Sequence, residues 1–260
     1  MNLRSPEKIN QKKLISFFKK LKMNKLLEKS EVSDLKVNQK MKKQKNLYKP
    51  QLMDLYRLYK FITLNKRYCV LEFGCGYSSS IINLALAHNK ENFYSETKNL
   101  RSHNLFQHHV VDDDKKYLNI LRKDIPKNKI SFLHYSTNRI KFTGYQISNE
   151  YENLPNINPD FIYIDGPDIF KIKGKKNIVN FSQKDMMPMN SDILKIENFL
   201  TPGTIILMDG RTANARFLFN NFKRKWKYKY DEKFDQNIFL LDEKPLGRHN
   251  RSQLKYYKFI

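Results

Sequence analysis

From residue 68 onward, short apolar segments alternate with helical ones, and that alternation confines the chain to an α/β architecture built on a parallel sheet. The expected strands are YCVLEF (68–73), ENFYSE (91–96), KISFLHYS (129–136), DFIYIDG (160–166) and TIILMDG (204–210). Residues 78–88, 112–123, 191–200 and 213–225 read as the helices between and after them. DDDKKYLNILRK (112–123) carries acids in its first turn and cations in its last, as a helix dipole prefers. The tail breaks the rhythm. Strands at 226–231 and 236–242 are joined by too few residues to pair in any way but antiparallel.

Two helices are expected upstream. PQLMDLYRLYKFITL (50–64) opens on a proline suited to a first helical position and leads into the core. In residues 7–29, Ile9, Leu14, Phe17, Phe18, Leu21 and Leu26 recur at helical spacing among lysines, which makes an amphipathic helix. Such a helix either lays its apolar stripe on its own domain or makes a peripheral contact with an anionic membrane or a partner. Residues 30–47 are polar and read as a linker, so the expected division is a basic helical extension at 1–47 and one α/β domain at 48–260.

Composition excludes more than it assigns. The formal charge of +23 invites nucleic acid, but lysine outnumbers arginine 38 to 11, and recognition of bases and phosphates leans on arginine's bidentate fork. Residues 1–47 hold 14 basic and 4 acidic side chains, so much of the excess sits in the extension. Nucleic acid is therefore not the expected partner. No apolar run is long enough to span a bilayer, and the first residues lack the apolar core of a secretory signal, so a cytoplasmic protein is expected. Cys69 and Cys75 are too few for a disulfide framework or a zinc site and are expected as reduced thiols.

The chemistry begins at VLEFGCGYSSS (70–80), which places two of the chain's 8 glycines directly after a strand. A strand, an acid, a glycine turn and a helix start leave backbone N–H groups facing a ligand. Gly74 and Gly76 would admit that ligand against bare backbone. No Lys-Ser/Thr pair closes a P-loop, and Ser79 stands where a dinucleotide motif wants its third glycine.

EFGCGYS (72–78) resembles the first motif of the class I S-adenosylmethionine-dependent methyltransferases, with Ser78 where many members carry a further glycine. The approach LTPGTIILMDG (200–210) and the terminal hairpin look like the same family. The resemblance covers about residues 50–245. It implies a Rossmann-like, doubly wound, mostly parallel sheet of seven strands closed by an antiparallel hairpin. It also implies S-adenosylmethionine as cofactor, held near Glu72, Gly74, Gly76 and Ser78, with Glu96 at the end of the expected second strand accepting the ribose hydroxyls. By position alone, Ser136 and Thr137 fall where the family holds adenine.

YIDGPD (163–168) and LMDGR (207–211) end strands at the same rim, so Asp165, Asp168 and Asp209 should share a cleft. Three readings stay open. Asp165 and Asp209 hold Mg²⁺, as acids after the corresponding strands do in catechol-type enzymes, although Gly210 stands where a further ligand is usual. Alternatively Asp165 is a general base, or these acids cap loops and orient the cofactor's ammonium. Arg211 either pairs with Asp209 or meets an acidic substrate, and His108, His109 and His134 are further candidate bases. The long connection 167–190 carries Lys171, Lys173, Lys175 and Lys176 and would cover a negatively charged acceptor.

The expected function is methyl transfer to a hydroxyl or amine of a small molecule; the acceptor expected, a sugar or nucleotide-sugar of surface polysaccharide, is implied only by a loose resemblance of YIDGPD (163–168) and DGRTANARF (209–217) to methyltransferase-like proteins of such pathways. The alternatives are an RNA-directed methyltransferase gripping with the basic extension, and a non-catalytic cofactor-binding scaffold.

Overall fold

The computed structural model describes residues 1–30, 49–143, 146–168, 172 and 188–260. Its centre is a seven-stranded sheet in the order β3-β2-β1-β6-β8-β10-β9. The strands are β1 (Cys69–Phe73), β2 (Gln107–Asp112), β3 (Ser131–Tyr135), β6 (Phe161–Ile164), β8 (Ile205–Asp209), β9 (Trp226–Asp231) and β10 (Gln236–Leu241). β10 alone runs against its neighbours β8 and β9; the other pairings are parallel. This is the Rossmann-like arrangement that the resemblance implies.

Alternation along the strands divides the core in two. Val70, Tyr163, Ile205, Leu207, Ile238 and Leu240 face one way, onto α3 (Leu52–Leu64), α4 (Tyr77–Phe93) and α8 (Gly247–Tyr256). Leu71, Phe73, Ile162, Ile164, Ile206, Met208 and Phe239 face the other, onto α6 (Asp192–Ile196) and α7 (Thr212–Asn221). Burying both faces is why these strands read as near-continuous apolar runs.

The amphipathic N-terminal stretch forms α1 (Gln11–Lys20) and α2 (Asn24–Lys29), separated where Lys22 takes a φ of 58°. Asn10 caps α1 by accepting from the Lys13 N–H at 3.0 Å. Leu14, Phe18 and Leu26 are buried in the same core as α3 and α4, and the Phe17 ring meets Tyr56 and Tyr59 edge-on. The apolar stripe that a membrane contact would need is thus covered by the chain's own domain. Among the described residues no helix is long and apolar enough to cross a membrane. The expected linker lies outside the described residues from position 31 on.

One strand expectation fails, with consequences for the site. Residues 91–96 are not strand two. α4 runs on to Phe93 and is followed by a 3₁₀ turn, Tyr94–Asn99. The reason is periodicity: Ile82, Leu86, Asn89 and Phe93 fall on one helical face turned to the core. Strand two is instead QHHVVD (107–112), whose two histidines hide its strand character until their partners are seen.

The structure also adds a second sheet, β4 (Asn138–Thr143), β5 (Gln146–Tyr151) and β7 (Met189–Asn190), inserted between β3 and β8 in the chain. A buried knot secures it: the Asp192 carboxylate accepts from the Tyr151 N–H and from Asn190 Nδ2, and Asn190 N–H donates to Asn214 Oδ1 at 2.7 Å.

Candidate active site at the carboxyl ends of the central strands

From β1 the chain winds outward to β2 and β3 on one side; β6 and β8 lie on the other. The order therefore reverses between β1 and β6, where open parallel sheets form a ligand crevice at their carboxyl ends. The loops meeting there begin at Gly74, Asp113, Ser136, Asp165 and Gly210.

The two glycines of the turn serve different ends. Gly74 has a φ of +86°, and a Cβ there would lie 2.6 Å from the backbone of Gly166. It is required by the neighbouring loop. Gly76 is different: a Cβ built on it meets nothing nearer than the Ser78 hydroxyl at 4.0 Å, and the residue is exposed. Open space above this stretch is what an approaching ligand needs. Gly76 caps α4, its N–H bonded to Ser79 Oγ at 3.2 Å.

Asp112, the last residue of β2, stands beside this turn. The in-register pairing of Phe73 with Val111 places it there. Its Oδ2 accepts from the Cys75 N–H at 2.7 Å and its Oδ1 from the Asp114 N–H at 2.7 Å. Burial raises its pKa and the backbone donors pull it back. Asp113, next to it, is raised to about 6 by burial and by the Asp112 charge. Glu96 is not brought to the turn. It is about half exposed and pairs with Lys66 Nζ at 2.6 Å, a residue that precedes β1 and so lies at the amino end of the sheet.

Glu72 and Ser78 lie under the turn, facing one another. Ser78 Oγ donates to Glu72 Oε1 at 2.5 Å, and His108 Nε2 lies 2.9 Å from Glu72 Oε2. Glu72 is wholly buried, so this pair braces β1 against α4 and β2. Ser136 is buried as well; its hydroxyl accepts from the Asn153 N–H and its own N–H donates to the Asp112 carbonyl. Cys75 is half-buried and Cys69 buried, both as free thiols, and burial raises both pKa values.

The other side of the crevice is acidic. Burial, then Asp54 and Asp165, raise Asp209 to about 7. Asp54, from the first turn of α3, is raised to about 6 by burial, with Asp165 and Asp235 adding to the rise and Arg57 opposing it. Asp165 is raised by burial and eased by Arg211. Asp165 keeps an exposed surface. Arg211 Nη2 donates to the carbonyls of Asp165 at 2.5 Å and Pro167 at 2.9 Å, so it pins the loop after β6 and does not pair with Asp209. Asp54 and Asp235 went unnoticed in the sequence, where they sit in an ordinary helix and a hairpin turn.

Among the described residues no three His, Cys, Asp or Glu side chains converge as a metal-ligand set. Asp165 and Asp209 thus gain no third ligand of these types among the described residues. Of the histidines, His108 is enclosed against Glu72 and Ser131, while His109 and His134 meet each other at 3.0 Å. Burial and the neighbouring imidazoles push His109 down to about 4, and burial lowers His134 as well, so both favour the neutral imidazole. Most of the lysine-bearing connection, including Lys171, Lys173, Lys175 and Lys176, lies outside the described residues.

No family model matches the chain, and no curated protein sequence is significantly similar to it. Solved structures of similar course include an O-methyltransferase from Bacillus cereus in complex with SAH, at 13% identity and a TM-score of 0.39 over 90% of this chain and 92% of that one. Another is an O-methyltransferase from Streptomyces achromogenes involved in tomaymycin synthesis, in complex with SAM, at 11% identity and 0.38 over 93% of each chain. A third is a candidate caffeoyl-CoA O-methyltransferase from Staphylococcus aureus, at 13% identity and 0.44 over 91% of this chain and 100% of that one. At such identities and scores these likenesses carry no argument about activity, which rests on the chain's own residues.

Proposed function

We propose that the chain is an S-adenosylmethionine-dependent methyltransferase acting on a hydroxyl or amine of a small molecule. One observation carries this reading: at the point where the strand order reverses, the open Cys75–Gly76 backbone lies beside the buried carboxylate of Asp112. The residues fit the cofactor. The Gly76 surface is a cradle that a side chain would fill, and the Asp112 oxygens, each with one backbone donor, keep lone pairs for two ribose hydroxyls. Glu96 cannot take that role from the far end of the sheet.

When bound, the cofactor supplies a methyl group on a sulfonium, with a neutral thioether as leaving group. What remains for the protein is alignment and the acceptor's proton. Asp209 suits the second task, because a base works best with a pKa near the working pH, and burial among other carboxylates holds it at about 7. Arg211 fixes the loop that presents Asp165.

Asp54, Asp165, Asp209 and Asp235 influence one another at this rim. Their field favours a neutral polyol or an amine over an acidic acceptor. A sugar hydroxyl is consistent with it. Calorimetric titration with S-adenosylmethionine and its demethylated product, SAH, tests the reading. Binding with release of SAH in the presence of an acceptor supports it, and absence of binding by either at millimolar concentration ends it.

A further inference from the structure

The rim beside the turn carries more negative charge than its neighbours compensate. Tyr163 and Leu207 are in register on β6 and β8 and face α3, so the next side chains on that face are Asp165 and Asp209. Asp54, in the first turn of α3, acts on Asp209, and Asp165 acts on both. The cations nearby are committed elsewhere. Arg57 donates from Nε to Gln236 Oε1 at 2.8 Å, from Nη1 to the Pro6 carbonyl and from Nη2 to Asp231 at 3.0 Å, and Arg211 holds two backbone carbonyls. Among the described residues no lysine or arginine comes within ion-pair distance of the Asp54, Asp165 or Asp209 carboxylates.

A second observation lies one pleat below Asp165. Tyr163 is 4% exposed, yet its hydroxyl makes no hydrogen bond among the described residues, and Asp165 and Asp209 are the charges that act on its phenol most. A buried hydroxyl left unmade among unpaired carboxylates needs a donor, and a cation bearing N–H groups supplies several. The rim also adjoins the glycine turn. The Asp165 N–H donates to the Phe73 carbonyl at 3.0 Å, and Gly166 packs on Gly74. A ligand on the turn therefore borders these acids.

We infer that the acceptor atom is an amine nitrogen, which enters as a cation between Asp54, Asp165 and Asp209. This rests on the cofactor reading above and narrows the substrate class. The amine gives one N–H proton to a carboxylate oxygen of Asp209. Its lone pair then forms the new N–C bond as the C–S bond breaks, and the electrons of that bond stay on sulfur. Positive charge thus passes from sulfur to nitrogen, where the carboxylates stabilise it. A hydroxyl acceptor has the opposite need: its oxygen must gather negative charge to attack, and the same carboxylates oppose that. Asp54 takes part in neither bond and sets specificity by its charge alone.

The test is thermal melting of the SAH-loaded full chain against ethylammonium chloride, with sodium chloride at equal ionic strength, ethanol and magnesium chloride as comparisons. Ethylammonium is small enough that shape does not decide its entry. The wild type should melt higher with ethylammonium than with sodium chloride and should ignore ethanol. Asp54→Asn removes a repelling charge, so it should fold and bind SAH as the wild type does, while its apparent affinity for ethylammonium falls about fivefold or more. With S-adenosylmethionine in place of SAH, mass spectrometry of any product should find N-methylethylamine and not ethyl methyl ether; the melting comparison decides whether or not such small probes turn over. No response to ethylammonium beyond that to sodium chloride, an equal response in Asp54→Asn, a response to Mg²⁺ alone, or the ether as product would each overturn the inference, while SAH binding leaves the cofactor reading intact. If the wild type takes no SAH, the cofactor reading fails and this inference with it.

Discussion

Gly74 and Gly166 stand back to back: a Cβ on the first would lie 2.6 Å from the Cα of the second, and one on the second 2.4 Å from the Cα of the first. The loops after β1 and β6 therefore touch backbone to backbone, which fixes the floor of the crevice. Gly74→Ala and Gly166→Ala should each lower folding stability by roughly 2 kcal/mol or more, through steric overlap and, at Gly74, a strained φ. Gly76→Ala should leave denaturant midpoints nearly unchanged and weaken SAH binding instead. Equal stability losses at all three positions would contradict the separation of roles.

Ser78 and Glu72 face inward together, so Ser78→Ala should act on stability before binding. Removing the hydroxyl takes a donor from a wholly buried carboxylate, a loss of about 1–3 kcal/mol. Chemical denaturation is expected to show it, with SAH affinity changed less than threefold. A large affinity loss at unchanged stability would mean that the hydroxyl faces the ligand.

Asp209 gives the acceptor side a pH signature. Its folded pKa of about 7 lies above the unfolded value of 3.8, so between the two the folded state holds a proton the unfolded state has released. The resulting stability is complete below pH 3.8 and lost as pH rises through 7. Asp209→Asn should therefore gain in melting temperature on the wild type between pH 5 and 8. Turnover in the wild type should rise with an apparent pKa near 7, and the variant should lose that limb with most of its rate. A wild-type-to-variant difference that stays flat across this range would remove Asp209 from the role of base.

The central strands β1, β6 and β8 are legible in the sequence because they are buried on both faces and so are largely apolar; the helices and the hairpin at 226–241 follow from periodicity and loop length. Strand two was missed because His108 and His109 look unlike core residues until Glu72 and His134 meet them. A strand at 91–96 puts the ribose carboxylate at Glu96, whereas the acids at 112–114 read in sequence as a helix start. The strands NRIKFT and QISNEY are polar and gain their definition from the distant Asn190 and Asp192, so nothing local marked them. Asp165 and Asp209 could be placed at one rim from the strand ends alone. That Asp54 joins them depends on how α3 lies on the sheet, which only the packed structure shows.

Titration of SAH into the wild type, Asp112→Asn and Glu96→Gln weighs the central assignment most directly. A carboxylate accepting sugar hydroxyls contributes about 1.5–3 kcal/mol through charge-assisted bonds. Asp112→Asn should therefore bind at least about tenfold more weakly, while Glu96→Gln binds as the wild type does. Wild-type affinity in Asp112→Asn, or the loss falling on Glu96→Gln instead, would show that the ligand does not lie across the Cys75–Gly76 turn.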